Sequence, residues 1–311
     1  MTVFVINAVL KKEYPWLHQS RVKGRELLNK YHQLIVMTKQ LFVHKLSTFV
    51  LEQTTPLVIY AYVSLSMVTH YTNYMIIVGY VWTSVGVVFA GMSASIGSLV
   101  AENNKRHTLE VFWELLSSRL WIAALACYAI YLFVSPFICL WIGSGYLLNE
   151  HTLLLILVGA FIRLSRSIID SFKDAYQLFA DVWAPVVEAI INLGGSILFG
   201  YLWGLNGILF GSNLSLVLIV LLWKPYYLFR YGFKTSSANY YAQYAWLILI
   251  LLLCAAGCNL LIPKASENNL TQMLRLIPVF MAYASLTYIL LYATSKGMRQ
   301  FTLRIINLIK H

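Results

Sequence analysis

Apolar and polar positions fall in long blocks along this chain rather than alternating in twos. Apolar runs of roughly 17–25 residues, the length that crosses a bilayer as a helix, recur from residue 43 onward. The expected spans are about 43–66, 74–99, 120–141, 152–178, 184–203, 207–224, 243–262 and 272–294. None shows the period-two pattern of a membrane barrel strand. The expected fold class is all-α: a polytopic membrane helix bundle of about eight transmembrane helices.

Several spans carry a polar stripe. In 152–178, Arg163, Arg166, Asp170 and Lys173 stand at offsets 0, 3, 7 and 10. At about 100° per residue they share an arc of roughly 80° on one helix face. The same offsets recur in Lys45, Thr48, Glu52 and Thr55, ahead of a mid-span Pro56. Glu188 and Asn192 share a face of span 184–203, and Asp181 extends that face. Ionisable groups at membrane depth are costly and turn toward a bundle interior or a water-filled cavity. Arg163 lies roughly 16 Å along its helix at 1.5 Å per residue, too deep to snorkel with ease. Arg163 and Arg166 are therefore expected to line an aqueous cavity. Lys173 is a further cavity-lining candidate and Asp170 an ion-coupling one; both also fit a local reading, in which Asp170 pairs with Arg166 and Lys173 where the helix leaves the membrane. For Lys45 and Glu52, a local pair or a snorkelling lysine stands beside cavity lining by Lys45 and ion coupling by Glu52. For Glu188 and Asn192, glue between helices stands beside a cation-coupling site.

Charge between the spans orients the chain. The segments starting at residues 11, 100, 173, 225 and 295 are basic, and the tail holds Lys296, Arg299, Arg304 and Lys310. The opposite loops contain Lys264 alone, with Arg275 just inside the neighbouring helix. That asymmetry places both termini in the cytoplasm. Of 311 residues, 59% are hydrophobic and 11% charged, and the mean hydropathy is +0.69, against about 25% charged in a soluble domain. The net charge of +11 is then the orientation signal of a membrane protein, and the expected partner is the bilayer, with no nucleic acid. The apolar start VFVINAVL is short, lacks a basic flank and runs into Lys11 and Lys12, which speaks against a cleavable signal peptide.

Chemistry-bearing motifs are few. Cys127, Cys139, Cys254 and Cys258 all sit in apolar stretches; Cys254 and Cys258 are one turn apart but lack further metal ligands nearby. The chain contains no GxxxxGK[ST] or HExxH pattern, and no far-side loop long enough for a catalytic domain. No enzyme activity, metal or cofactor is expected. Arginine suits bidentate recognition of phosphate. A basic groove between helices thus favours a pyrophosphate-bearing head group over an apolar cation.

Short stretches in collinear order carry a resemblance. They are KKEYPWL at 11–17, KQLFVHK at 39–45, NYMIIV at 73–78, SASIGSLVAE at 93–102, VFWEL at 111–115 and LWIG at 140–143 followed by GYLL. SRSIIDSFKDAYQLF at 165–179, WAPVVEAIIN at 183–192, GLNGILFGSNLS at 204–215 and KPYYLFRYGFK at 224–234 continue the series. Together they resemble the bacterial O-antigen and teichoic-acid flippases of the multidrug/oligosaccharidyl-lipid/polysaccharide exporter superfamily, from the end of that family's sixth helix through its twelfth. The resemblance implies two six-helix lobes around a central cavity, with optional extra helices.

On that template, residues 1–10 are the end of a truncated transmembrane helix and 11–40 a cytoplasmic linker. Residues 41–234 are the six-helix C-terminal lobe, and 235–311 two extra helices with a basic tail. The first lobe is not in this chain. The implied activity is flipping of a polyisoprenyl-pyrophosphate-linked oligosaccharide in the bacterial inner membrane. The implied partners are a separately encoded N-terminal lobe and polysaccharide assembly proteins. The resemblance carries over Lys45, Arg166, Asp170, Lys173, Glu188 and Asn192; Arg163 rests on depth alone. A multidrug efflux relative and a non-functional gene remnant are the alternatives. Efflux cavities that receive cations favour acidic lining, against the arginines and lysines found here.

Overall fold

The computed structural model describes Glu13 and residues 31–262 and 270–310. Residues 1–10, most of the 11–40 linker and the Pro263–Asn269 loop with Lys264 lie outside the described residues. The chain divides into two compact units, Met1–Phe42 and Val43–His311. The described part of the first is chiefly the opening of helix α1.

The described elements are helical, without a strand among them. In chain order they are α1 (His32–Tyr62), α2 (Leu65–Ala90), α3 (Met92–Ala101), α4 (Lys105–Trp141), α5 (Glu150–Ser165), α6 (Ser167–Ala175) and α7 (Trp183–Ser215). After α7 the helix runs on to Phe233, π-helical at Leu216–Trp223 and Leu228–Phe233. Then follow α8 (Ala238–Asn259), α9 (Leu270–Thr294) and α10 (Lys296–Lys310).

Local chemistry explains several boundaries. Ser64, Asn104 and Asn149 cap α2, α4 and α5: each side-chain oxygen accepts a backbone N–H three residues on. The LWIG stretch ends α4 because Gly143 adopts φ 101°, which costs glycine little and other residues much. Gly91 separates α2 from α3, and the pair Leu65–Val87 and Met92–Ala101 is bent by 46°.

Five described helices are long and apolar enough to cross a membrane: Lys105–Trp141, Glu150–Ala175, Trp183–Phe233, Ala238–Asn259 and Leu270–Thr294. Counted as one broken span, the bent α2–α3 pair makes a sixth. The chain is therefore a multi-pass, all-α membrane protein. Two features separate that count from the eight expected spans. First, Trp183–Phe233 is a hairpin. Trp203 and Gly204 leave helical geometry, Gly204 at φ 58° and ψ −135°, and the chain folds back on itself. Ser196 Oγ donates to the Ile208 carbonyl at 3.1 Å, and Asn192 Nδ2 to Ser212 Oγ at 2.8 Å. A Cβ on Gly211 would strike the Gly195 backbone. The expected spans at 184–203 and 207–224 are the two limbs. Second, α1 has the length of a span, at 31 residues with Pro56 inside, but its polar row makes it less apolar than the five.

The buried core has two main clusters. One runs along α4, α8 and α9 from Cys258 and Leu276 to the bundle end that carries the basic loops. There Phe112 meets Phe172, Phe229 and Phe233 edge-on at 5.2–5.5 Å. That cluster takes in Leu247, Leu251, Tyr283 and Met298, so α8, α9 and α10 share one core with α4 and α6. The other joins α1, α2, α4, α5 and the second limb of α7 through Ile59, Tyr74, Ile138, Leu153 and Ile208. The segment up to Arg119, expected as a charged loop, is instead the opening half of α4, and Leu115, Leu116 and Leu120 bury it. The basic tail is likewise helical: α10 packs along α4, and Gly297 lies against the Trp113 carbonyl and Ser117 Oγ.

Candidate functional site

The row of charges in 152–178 spans a helix break. α5 ends at Ser165, α6 starts at Ser167, and Arg166 stands between them. The four charged side chains do not share one environment. Arg166 Nε lies 3.4 Å from Asp170 Oδ2, one turn along, and 17% of its side chain is exposed. The other Asp170 oxygen takes Lys224 Nζ at 3.0 Å. The expected pair of Asp170 with Arg166 is present, while the second cation on Asp170 comes from another element.

Lys173 lies in a buried knot. Its Nζ donates to Asp181 Oδ2 at 2.6 Å, with side chains 6% and 0% exposed. Trp223 Nε1 donates to the same oxygen at 3.3 Å, and His44 Nε2 stands 3.6 Å from Asp181 Oδ1. Lys173 also lies over the Tyr227 ring at 5.0 Å. The knot thus joins α1, α6 and the π-helical segment. Its pairing gives Lys173 a partner that sequence spacing did not suggest, and places it away from any open surface.

Arg163 points elsewhere. It lines a cavity of about 140 Å³ between α1, α2, α4, α5 and α7, together with Thr55, Tyr71, Trp82, Ser212 and Asn213. The rest of the lining is largely aliphatic, so the guanidinium and a few hydroxyl and amide groups supply most of its polarity. A cavity of this size with several polar groups has room for water.

Glu188 and Asn192 sit on the first limb of the hairpin. Asn192 Nδ2 reaches Ser212 Oγ at 2.8 Å and Ser215 Oγ at 3.4 Å, so it joins the two limbs. Glu188 is 3% exposed, and its Oε1 accepts no hydrogen bond among the described residues. A buried carboxylate oxygen without a donor suits a protonated carboxyl or a bound cation. Lys45 is exposed on α1. Glu52 falls on α1 as well, but its side chain lies outside the described residues.

Two buried charges escaped sequence reasoning. Arg119 is 1% exposed on α4. Its Nε donates to the Leu164 carbonyl at 2.7 Å and one terminal nitrogen to the Val85 carbonyl at 3.1 Å, with the guanidinium 4.3 Å from the Phe89 ring centre. Leu164 is in the last turn of α5, where a cation complements the helix dipole. Arg119 thereby ties the α5–α6 break to α2 just before its bend. Glu114, 4% exposed, pairs with Arg304 of α10 at 2.9 Å. The available signal was the apolar spacing of Val111, Leu115 and Leu120 around both residues, which marks a helix rather than a loop.

No family model, curated protein or solved structure matches the chain.

Proposed function

We propose that this chain is the C-terminal lobe of a transporter that flips a polyisoprenyl-pyrophosphate-linked oligosaccharide. The reading puts it in a bacterial inner membrane with both termini in the cytoplasm, an orientation that the basic loops on one side support. The observation that carries it is a pair of arginines, Arg163 and Arg166, inside a membrane-length helix, one lining a cavity and one partly exposed beside Asp170. The collinear resemblance described above supports the same reading.

In it, Arg166 is the main phosphate ligand, and Asp170 holds its guanidinium in place. Exposed Lys45 adds positive potential, and Arg163 serves from the cavity behind. Lys173 contributes through its pair with Asp181, which stiffens the bundle end that carries the basic loops. Buried Glu188 couples movement to a proton or cation, as intramembrane carboxylates do in transporters. The partner lobe supplies the opposite wall, and the lobes rock about the mid-membrane site.

The test is export of lipid-linked glycan by the full two-lobe transporter. Arg166→Ala is expected to abolish export while membrane insertion stays unchanged. Normal export by that variant sinks the assignment. Export of lipophilic cations in its place favours an efflux relative.

A further inference from the structure

A second polar cavity lies apart from the charged row. It is a groove of about 470 Å³ between the opening of α8, the first half of α4 and the α9–α10 junction. Its depth in the membrane follows from the helices that build it. α8 starts at Ala238, just past Lys234, and α10 starts two residues after α9 ends, so the groove sits at the bundle end that carries the basic loops. Two indoles, Trp113 and Trp246, stand in its walls, and Trp246 is 51% exposed. Aromatic rings at that level mark the boundary between acyl chains and head groups.

The walls are braced. Trp113 stacks with Tyr240 at 6.0 Å. Ser295 Oγ lies 3.0 Å from Ser117 Oγ, and Arg299 covers the Tyr292 and Ala293 carbonyls that end α9. The polar groups that face the space are of both signs. Lys296 is exposed and makes no ion pair among the described residues. Glu110 has only an exposed bridge to Arg106 on its own helix, at 3.2 Å, the weak kind. Gln243 gives its amide nitrogen to Asn239, which leaves the amide oxygen to accept; Gln300 adds a second amide.

We infer that this groove binds the head group of an aminophospholipid, a phosphoethanolamine zwitterion. The Lys296 ammonium takes the phosphate. The ligand's primary ammonium has three N–H donors, matched by the Glu110 carboxylate and the glutamine oxygens, with an indole face beside them. An anionic head group without an amine meets Glu110 as a like charge. A quaternary ammonium has no N–H to give these acceptors and gains only the indoles.

The purified chain in detergent, offered an equimolar mixture of dioleoyl phosphatidylethanolamine, phosphatidylglycerol and phosphatidylcholine, tests this by native mass spectrometry. Phosphatidylethanolamine is expected to be retained about fivefold over either competitor, which corresponds to roughly 1 kcal/mol. Lys296→Gln and, separately, Trp246→Ala are expected to erase the preference without lowering the thermal midpoint, since both side chains are exposed. Equal retention of the three lipids overturns the inference. So does a preference for phosphatidylglycerol, the mark of a plain basic patch, or for phosphatidylcholine, the mark of the indoles alone. A phosphatidylethanolamine preference that survives both substitutions places the lipid elsewhere and overturns it too.

Discussion

At the scale of single residues, the bundle is held by charges that water does not reach. Asp181 is the clearest case: fully buried, it accepts from Lys173 and Trp223 and faces His44. Replacing one partner of such a pair strands the other. Asp181→Asn is expected to cost about 3–5 kcal/mol, because Lys173 then stays buried without a counter-charge. Replacing both with apolar residues, Lys173→Met with Asp181→Leu, is expected to recover most of that loss. Thermal unfolding in detergent compares the single and double variants; a double variant no better than the single removes the pair's special standing. Sequence spacing made the stripe visible but not these partners. Asp181 lies eight residues beyond Lys173 and past the end of its helix, and Lys224 lies farther still. Periodicity reports which side chains share a face, and it is silent on what another element brings to that face. Arg119 was illegible for a related reason. Its acceptors are backbone carbonyls, which every residue has, so no partner stands out in the chain.

At the scale of elements, the α7 hairpin rests on small residues. Gly195 and Gly211 meet backbone to backbone, and Ser196, Asn192 and Ser212 bond across the seam. Small residues that admit close approach, with a few polar bonds, are the usual glue between membrane helices. Gly211→Ala is expected to destabilise the protein, since the added methyl meets Gly195 with no side chain able to yield. Gly194→Ala, one position from the seam with nothing within 4 Å of the new methyl, is expected to be neutral or to stabilise by up to about 1 kcal/mol through helix propensity. Thermal midpoints that fall equally for both variants contradict the seam. Both limbs were legible as separate apolar runs, because the turn at Trp203–Gly204 interrupts them. The π-helical stretches beyond Ser215 were not, since their residues are as apolar as those of an ordinary span.

At the scale of the molecule, the described residues form an all-α multi-pass protein whose last three helices share a core with α4. The sequence division at residue 235, between a six-helix lobe and two extra helices, is a boundary of resemblance. Buried contacts run straight through it: Phe112 of α4 packs on Phe233 before that position and Tyr240 after it. A chain ending at residue 234 exposes Phe112, Leu116 and Leu120 where α8 and α10 leave. It is therefore expected to aggregate on size-exclusion chromatography, whereas a lobe that elutes as one sharp species contradicts a shared core.

The two-residue turn of the α7 hairpin bears on how the protein is made. Each limb is roughly 30 Å or more in length at 1.5 Å per residue, the second counted on through the π-helical stretches to Phe233, and between them almost no chain remains to be carried across. Asn192, Ser196 and Ser212 have polar groups unwelcome among lipid tails, yet each is answered by the opposite limb. The two limbs are thus suited to leave the translocation channel zipped together, with their polar seam already closed. On that route the newborn chain never presents either limb alone to the lipid.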